Sequence, residues 1–136
     1  MSMPSAGRLQ VSEKRTILVV EDDSEIRTIA AMRLEAAGFK TIAAVDGQDG
    51  IDKAVEVMPD AIVMDVRMPR KDGLTALGEL KARNDTCRIP VVILSASVGD
   101  QQRALDAGAR FFITKPYQGG DFLATVFASM DGATRA

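Results

Sequence analysis

The sequence contains no histidine and no tryptophan, a single tyrosine and a single cysteine, Cys87. Without histidine there is no Ser-His-Asp triad, no zinc site with imidazole ligands and no histidine phosphodonor. One cysteine excludes an intramolecular disulfide framework and suits a reducing cytoplasm. No apolar run approaches the ~20 residues needed to span a bilayer, and the polar start lacks a signal-peptide core. Neither a membrane nor an export role is expected. Basic residues form no block: 17 Lys and Arg stand against 19 Asp and Glu, a net charge of −2. Direct nucleic-acid binding relies on a basic footprint, so it is not expected either.

What is present is an ordinary globular composition, 46% hydrophobic and 26% charged over 136 residues, enough for one domain with a core of its own. Met1 to Lys14 are polar and aperiodic and read as a flexible tail; residues 15–131 read as the folded domain and 132–136 as a frayed end. Within the domain, five short apolar runs alternate with helical spacing: Ile17–Val20, Thr41–Ala44, Ala61–Met64, Val91–Leu94 and Phe111–Ile113. Each is too short for a helix and several are β-branched, so they read as strands. Ile26, Ile29, Ala30, Arg33 and Ala37 share one helical face; so do Ile51, Ala54, Val55 and Met58, and Leu123, Val126, Phe127 and Met130. Gly38 and Gly108 end helical runs, and Pro59 and Pro90 precede strands.

Strands alternating with helices imply parallel βαβ units, hence an α/β three-layer sandwich with five helices on the two faces of a five-stranded parallel sheet. The first, third and fourth strands are apolar on both faces and belong at the centre. The second and fifth, with Lys40, Thr41 and Thr114, belong at the edges.

Ligands of open parallel sheets bind beyond the carboxyl ends of the strands. Those ends carry Glu21-Asp22-Asp23, Asp65, Ser95-Ala96-Ser97 and Thr114-Lys115-Pro116. If the first and third strands are neighbours, three carboxylates converge opposite an ammonium and a hydroxyl. Such a cluster asks for a hard cation, and a few carboxylates plus water is how Mg²⁺ is usually held. Carboxylates, cation, lysine and hydroxyl together form an inventory for phosphoryl transfer to a carboxylate. In isolation, an acidic trio before a helix is more often a cap and dipole partner, and Asp22 and Glu25 have capping-box spacing. With Asp65 and Lys115 at matching strand ends the metal reading is preferred, and only Asp23 keeps the cap.

Four segments in order, ILVVEDD (17–23), DVRMPRKDG (65–73), VVILSA (91–96) and TKP (114–116), resemble the response-regulator receiver domain, similar to its stand-alone chemotaxis type. The resemblance covers Thr16 to Met130. It implies a flavodoxin-like sheet of order 2-1-3-4-5. It implies Asp65 as phosphoacceptor from a histidine-kinase or histidine-phosphotransfer phosphohistidine. Glu21, Asp22, Asp65 and the backbone carbonyl of Arg67 would hold Mg²⁺ (or Mn²⁺). Lys115 would pair with Asp65 and then with the phosphoryl group, Ser95 would hydrogen-bond a phosphoryl oxygen, and Phe112 would be the aromatic switch. Arg67 and Ser97 fall at positions that tune phosphoryl lifetime.

Glu21 and Ser95 replace the commoner Asp and Thr of the family. The resemblance further implies a cytoplasmic signalling module, not an enzyme beyond its own phosphorylation and dephosphorylation. It would act as a monomer or a phosphorylation-dependent dimer. Output would pass to a protein partner through the face of the fourth helix, fifth strand and fifth helix, or the chain would serve as a relay intermediate or phosphate sink. Two other classes are weighed against it. A metal-dependent phosphatase with an aspartyl nucleophile usually carries an acid two residues on, where Arg67 stands. A pseudo-receiver usually lacks an equivalent of Asp65 or Lys115, and both are present.

Overall fold

The structure, a computed structural model, describes residues 14–135, with side chains through Asp131. The expected tail lies outside the described residues except for Lys14. Five strands, β1 (Thr16–Val20), β2 (Lys40–Ala44), β3 (Ala61–Asp65), β4 (Val91–Ser95) and β5 (Phe111–Thr114), form one parallel sheet in the order β2-β1-β3-β4-β5. The helices between and after them are α1 (Ser24–Ala36), α2 (Gly47–Val57), α3 (Gly73–Ala82), α4 (Gln101–Asp106) and α5 (Gly119–Arg135), with a 3₁₀ turn at Val98–Asp100 before α4.

Burial follows the hydropathy of the strands. Every residue of β3 and β4 is buried, and only Thr16 of β1 is not, whereas β5 is exposed or half-buried throughout and β2 is so except for buried Ala44. Alternate side chains supply two cores. Leu18, Val20, Ile62, Met64 and Ile93 pack with Ile51, Leu77, Leu80 and Ala104 of α2, α3 and α4. Ile17, Val19, Val63, Val92 and Leu94 pack on the other face with Leu34 of α1 and with Phe122 and Val126 of α5. Each such large aliphatic side chain, fully buried, contributes roughly 1.5–3 kcal/mol.

The helix faces differ from those read in the sequence. On α1 the stripe that meets the sheet is Ala30 and Leu34, while Ile26 and Ile29 stand 39% and 49% exposed and Arg33 is exposed too. Small Ala30 lets the helix lie close to the strands, and periodicity alone does not reveal which of two adjacent apolar stripes does so. On α2, Ile51 and Ala54 are buried but Val55 and Met58 are exposed. On α5 the buried line is Phe122, Val126 and Met130, with Phe127 outside it against the ring of Phe39, centroids 4.9 Å apart. That helix runs to Arg135, a turn beyond the expected limit at Met130.

Gly38 and Gly108 take φ of +102° and +110° after α1 and α4, the left-handed region in which a side chain is strained. Gly73 is needed for a different reason. It starts α3 directly behind β3, its amide bonds Val66 O at 2.9 Å, and a Cβ there would clash with the backbone carbonyl of Asp65. Asp72 caps the same helix by accepting from the Thr75 amide at 2.8 Å. The loop after β3 is also tied from the side: Asp46, the N-cap of α2, accepts from the Asp49 amide at 2.8 Å and from Arg70 Nε at 2.6 Å. Those two donors hold its carboxyl below the usual range, the backbone bond foremost.

The Gly73 contact yields a prediction. Gly73→Ala should lower the free energy of unfolding by about 1–3 kcal/mol, since backbone rather than a flexible side chain must move. An unchanged denaturant midpoint would contradict the close approach.

Candidate functional site

The strand register assembles the site. Val20 pairs with Met64, Asp65 with Leu94 and Ser95 with Thr114. The next residue of β1, Glu21, therefore comes level with Asp65, and the next residue of β5, Lys115, lies just past Ser95. The ladders continue into these positions, with Glu21 N bonded to Ala44 O at 3.0 Å and Lys115 N to Ser95 O at 2.8 Å. Asp22 follows Glu21 and is exposed, whereas Glu21 and Asp65 are 5% and 6% exposed. Oxygens of Glu21, Asp22 and Asp65 all lie within 4.8 Å of one another.

Asp65 is held at both oxygens. Oδ1 forms an ion pair with Lys115 Nζ, and Oδ2 accepts from the Arg67 amide at 3.1 Å. The Lys115 ammonium also stands 3.5 Å from Glu21 Oε1. Burial depresses the lysine's affinity for its proton, but the bond and charge of Asp65 more than offset this, and its pKa is raised. Glu21 shows the opposite balance. Its carboxyl is pushed up, first by burial and then by the charge of Asp65, despite a bond from the Asp23 amide and the proximity of Lys115.

Three carboxylates and one ammonium leave a formal local charge of −2. Two carboxylates at this spacing repel by about 1 kcal/mol in water and ~3.5 kcal/mol at an effective dielectric of 20. Glu21 Oε1 is buried with no hydrogen-bond partner, the single side-chain atom in that condition among the described residues. A buried acceptor without a donor, beside two more carboxylates, fits a divalent cation such as Mg²⁺. Asp23, by contrast, is spent on the helix: its Oδ1 accepts from the amides of Glu25 and Ile26 at 3.0 and 3.1 Å, capping α1.

The other residues singled out in the sequence divide between near and far. Lys115 meets Asp65, and its peptide bond to Pro116 is cis. Ser95 is buried at the end of β4, but its hydroxyl donates to Asp100 Oδ2 at 2.7 Å and accepts from the Ser97 amide at 3.0 Å. Ser97 precedes the 3₁₀ turn and caps nothing with its side chain, while its amide donates to the Ser95 hydroxyl. Arg67 reaches Asp100 with Nη2 at 3.0 Å. Phe112 is half-buried on β5, opposite Ile93 and against the core under α3 and α4.

Asp100 was not found from the sequence. An acid at the start of a helix reads as a cap, and nothing in the chain shows that it joins residues 5 and 33 positions away. Its side chain makes no cap bond at all. Instead it accepts from Ser95, Arg67 and Arg103, and these donors, the Ser95 hydroxyl foremost, hold its carboxyl below the usual range.

A raised acid pKa means that the folded chain binds the Glu21 proton more tightly than the unfolded chain does. This contribution to stability is complete below the ordinary value of 4.5 and is lost as pH rises through the raised value. Asp65→Asn removes the repelling charge and frees Lys115 to turn to Glu21, so the Glu21 pKa should fall. A carboxyl NMR titration reads this directly; an unchanged midpoint would show that the two groups are not coupled.

Comparison with known proteins agrees with this geometry. Residues 17–127 match the family described as the response regulator receiver domain. The chain is 37% identical over 114 residues to the DNA-binding dual master transcriptional regulator RpaA of Synechocystis sp., covering 82% of this chain and 47% of that protein. It spans about half the length of the curated relatives it matches. Among solved structures, the signal receiver domain of a histidine kinase from Syntrophus aciditrophicus superposes with a TM-score of 0.82 at 31% identity, covering 90% of this chain and 94% of that one. The receiver domain of the sensor histidine kinase PA1611 from Pseudomonas aeruginosa, described with a magnesium ion coordinated in its active-site cleft, gives 0.80 at 28%, covering 87% and 98%. Five parallel strands in this order, an acidic crevice at their carboxyl ends and a family match over most of the domain agree: the chain belongs to the response regulator receiver domains of two-component signalling.

Proposed function

We propose that the domain accepts a phosphoryl group on Asp65 from a phosphohistidine of a histidine kinase or histidine phosphotransfer protein. The observation that supports this most strongly is the Asp65 carboxylate itself, fixed by Lys115 at the end of a buried strand with Glu21 and Asp22 within 4.8 Å. In the transfer, the N–P bond of the donor breaks and its electron pair stays on the imidazole, which takes a proton. An O–P bond forms to Asp65. Glu21, Asp22, Asp65 and the carbonyl of Arg67 are the residues that would hold Mg²⁺ (or Mn²⁺), which when bound neutralises charge on the phosphoryl oxygens. Lys115 follows its electrostatic preference from the carboxylate to a phosphoryl oxygen, and the Ser95 hydroxyl donates to another. The product, an acyl phosphate, adds a charge of about −1.5 to −2 at a site built for a carboxylate. Arg67 and Ser97 border the approach to that site and set its lifetime; Phe112 follows the loop after β4.

The domain acts only on itself, so it is not an enzyme with a separate substrate. The phosphatase reading is disfavoured by Arg67, which carries no transferable proton at neutral pH and is paired with Asp100. A donor protein has a surface to use: Ile26, Arg33, Ala96, Lys115, Pro116 and Tyr117 line one groove beside the site. Output passes through α4, β5 and α5, where Leu105 and Phe111 are exposed, to a protein partner or onward in a relay. Cytoplasmic placement is consistent with the lack, among the described residues, of any helix long and apolar enough to cross a membrane.

Incubation with Mg²⁺ and acetyl phosphate should give an acid-labile phosphoryl adduct by intact mass, absent in Asp65→Asn. No adduct, while a known receiver is labelled alongside, would overturn the assignment. In a Mg²⁺ titration Asp22→Ala should weaken affinity strongly. Asp23→Ala should cost ~1 kcal/mol of stability as a lost cap while leaving affinity nearly intact. Equal losses of affinity would mean that cap and ligand have been exchanged.

A further inference from the structure

Asp100 is 2% exposed and carries more hydrogen bonds than its position at the start of α4 requires. It receives the Ser95 hydroxyl at 2.7 Å, Arg67 Nη2 at 3.0 Å and Arg103 Nη2 at 2.6 Å. Two of these three donors flank the phosphoacceptor. Ser95 ends the strand beside β3, and the Arg67 amide is bonded to Asp65. A hydroxyl has one proton to give, and Ser95 gives it to Asp100. The Arg67 guanidinium is likewise turned from Asp65 toward Asp100. The third donor differs: Arg103 sits three residues along, on α4 itself, and has no tie to the site.

We propose that Asp100 is a positioning residue, a latch that withholds Ser95 and Arg67 from the phosphoacceptor until a phosphoryl group competes for them. The inference rests on the phosphoacceptor reading of Asp65 and adds a second, competing anion to it. The two anions differ in kind. The carboxylate carries one charge but stands already in place; the phosphoryl group carries about −1.5 to −2 and arrives later. When Ser95 and Arg67 leave, Arg103 stays on Asp100, so the buried carboxylate is never left unpaired, which would be costly. That third partner makes the arrangement two-state rather than merely rigid. It also gives the loop between β4 and α4 a defined resting position, because the Ser97 amide is bonded to the same hydroxyl that would move.

The test uses initial rates of labelling by acetyl phosphate with Mg²⁺. Asp100→Asn keeps the shape and removes the charge. It should raise the rate about tenfold, the scale of one charge-assisted hydrogen bond removed from the resting state. In a Ser95→Ala, Arg67→Ala background, slower overall, the same substitution should change the rate roughly twofold or less, since nothing remains to be released. A rate that is unchanged or reduced in Asp100→Asn, or an equal increment in both backgrounds, would overturn the latch. A wild-type chain that takes no label would instead remove the phosphoacceptor reading and the latch together. If Asp100→Asn does not fold, the wild type decides. Beryllofluoride, a phosphoryl mimic, should shift the carboxyl-carbon resonance of Asp100 as its donors leave, and an unmoved resonance would overturn the proposal.

Discussion

The ion pair between Lys115 and Asp65 holds together a crevice that its other charges would push apart. Glu21, Asp22 and Asp65 crowd within 4.8 Å, and one ammonium offsets one of their three charges. The residual cost falls on buried Glu21, one of whose oxygens, Oε1, accepts no hydrogen bond. Its carboxyl is pushed up by burial and by Asp65, and Oε1 has only the Lys115 ammonium 3.5 Å away to offset its charge. A domain built only for stability would relieve this strain with a neutral side chain. Keeping it fits the proposed role, in which the site would admit a cation and then a phosphoryl group.

The remainder of the fold serves to hold that crowding still. Asp65 ends a strand buried on both faces, so its backbone cannot retreat from the repulsion. Behind it, Gly73 brings α3 against the Asp65 carbonyl at a distance no side chain would permit. To one side, Asp46 pins the following loop through Arg70. These contacts are individually modest, but each closes a direction in which the carboxylate could otherwise relax. Rigidity here is a condition of the chemistry.

On the opposite side of Asp65 the structure is arranged for change. The loop from Ser95 to α4 is short and mostly exposed, and it is fixed by the bonds that converge on Asp100 rather than by a packed core. Around it lie half-buried Phe112 and exposed Val98, Leu105 and Phe111, the surface that the proposed rearrangement would alter. The division is between a packed half around Asp65 and a polar half held by hydrogen bonds that converge on Asp100.

Local sequence determined the strands to within a residue, their central or edge placement, and the caps at Asp23, Gly38 and Gly108, because each depends on hydropathy or backbone geometry over a few residues. The motifs at the strand ends also marked Glu21, Asp22, Asp65, Ser95 and Lys115 before any geometry was known. Tertiary structure alone decided which stripe of α1 is buried, since Ile26, Ile29 and Ala30 are all apolar and only packing distance separates them. It alone decided that the Ser95 hydroxyl faces Asp100, and that Arg67, 33 residues away, joins it. The physical reason is the same in both cases: a one-dimensional pattern records what a side chain can do, while competition among partners is settled only when the fold brings them within reach.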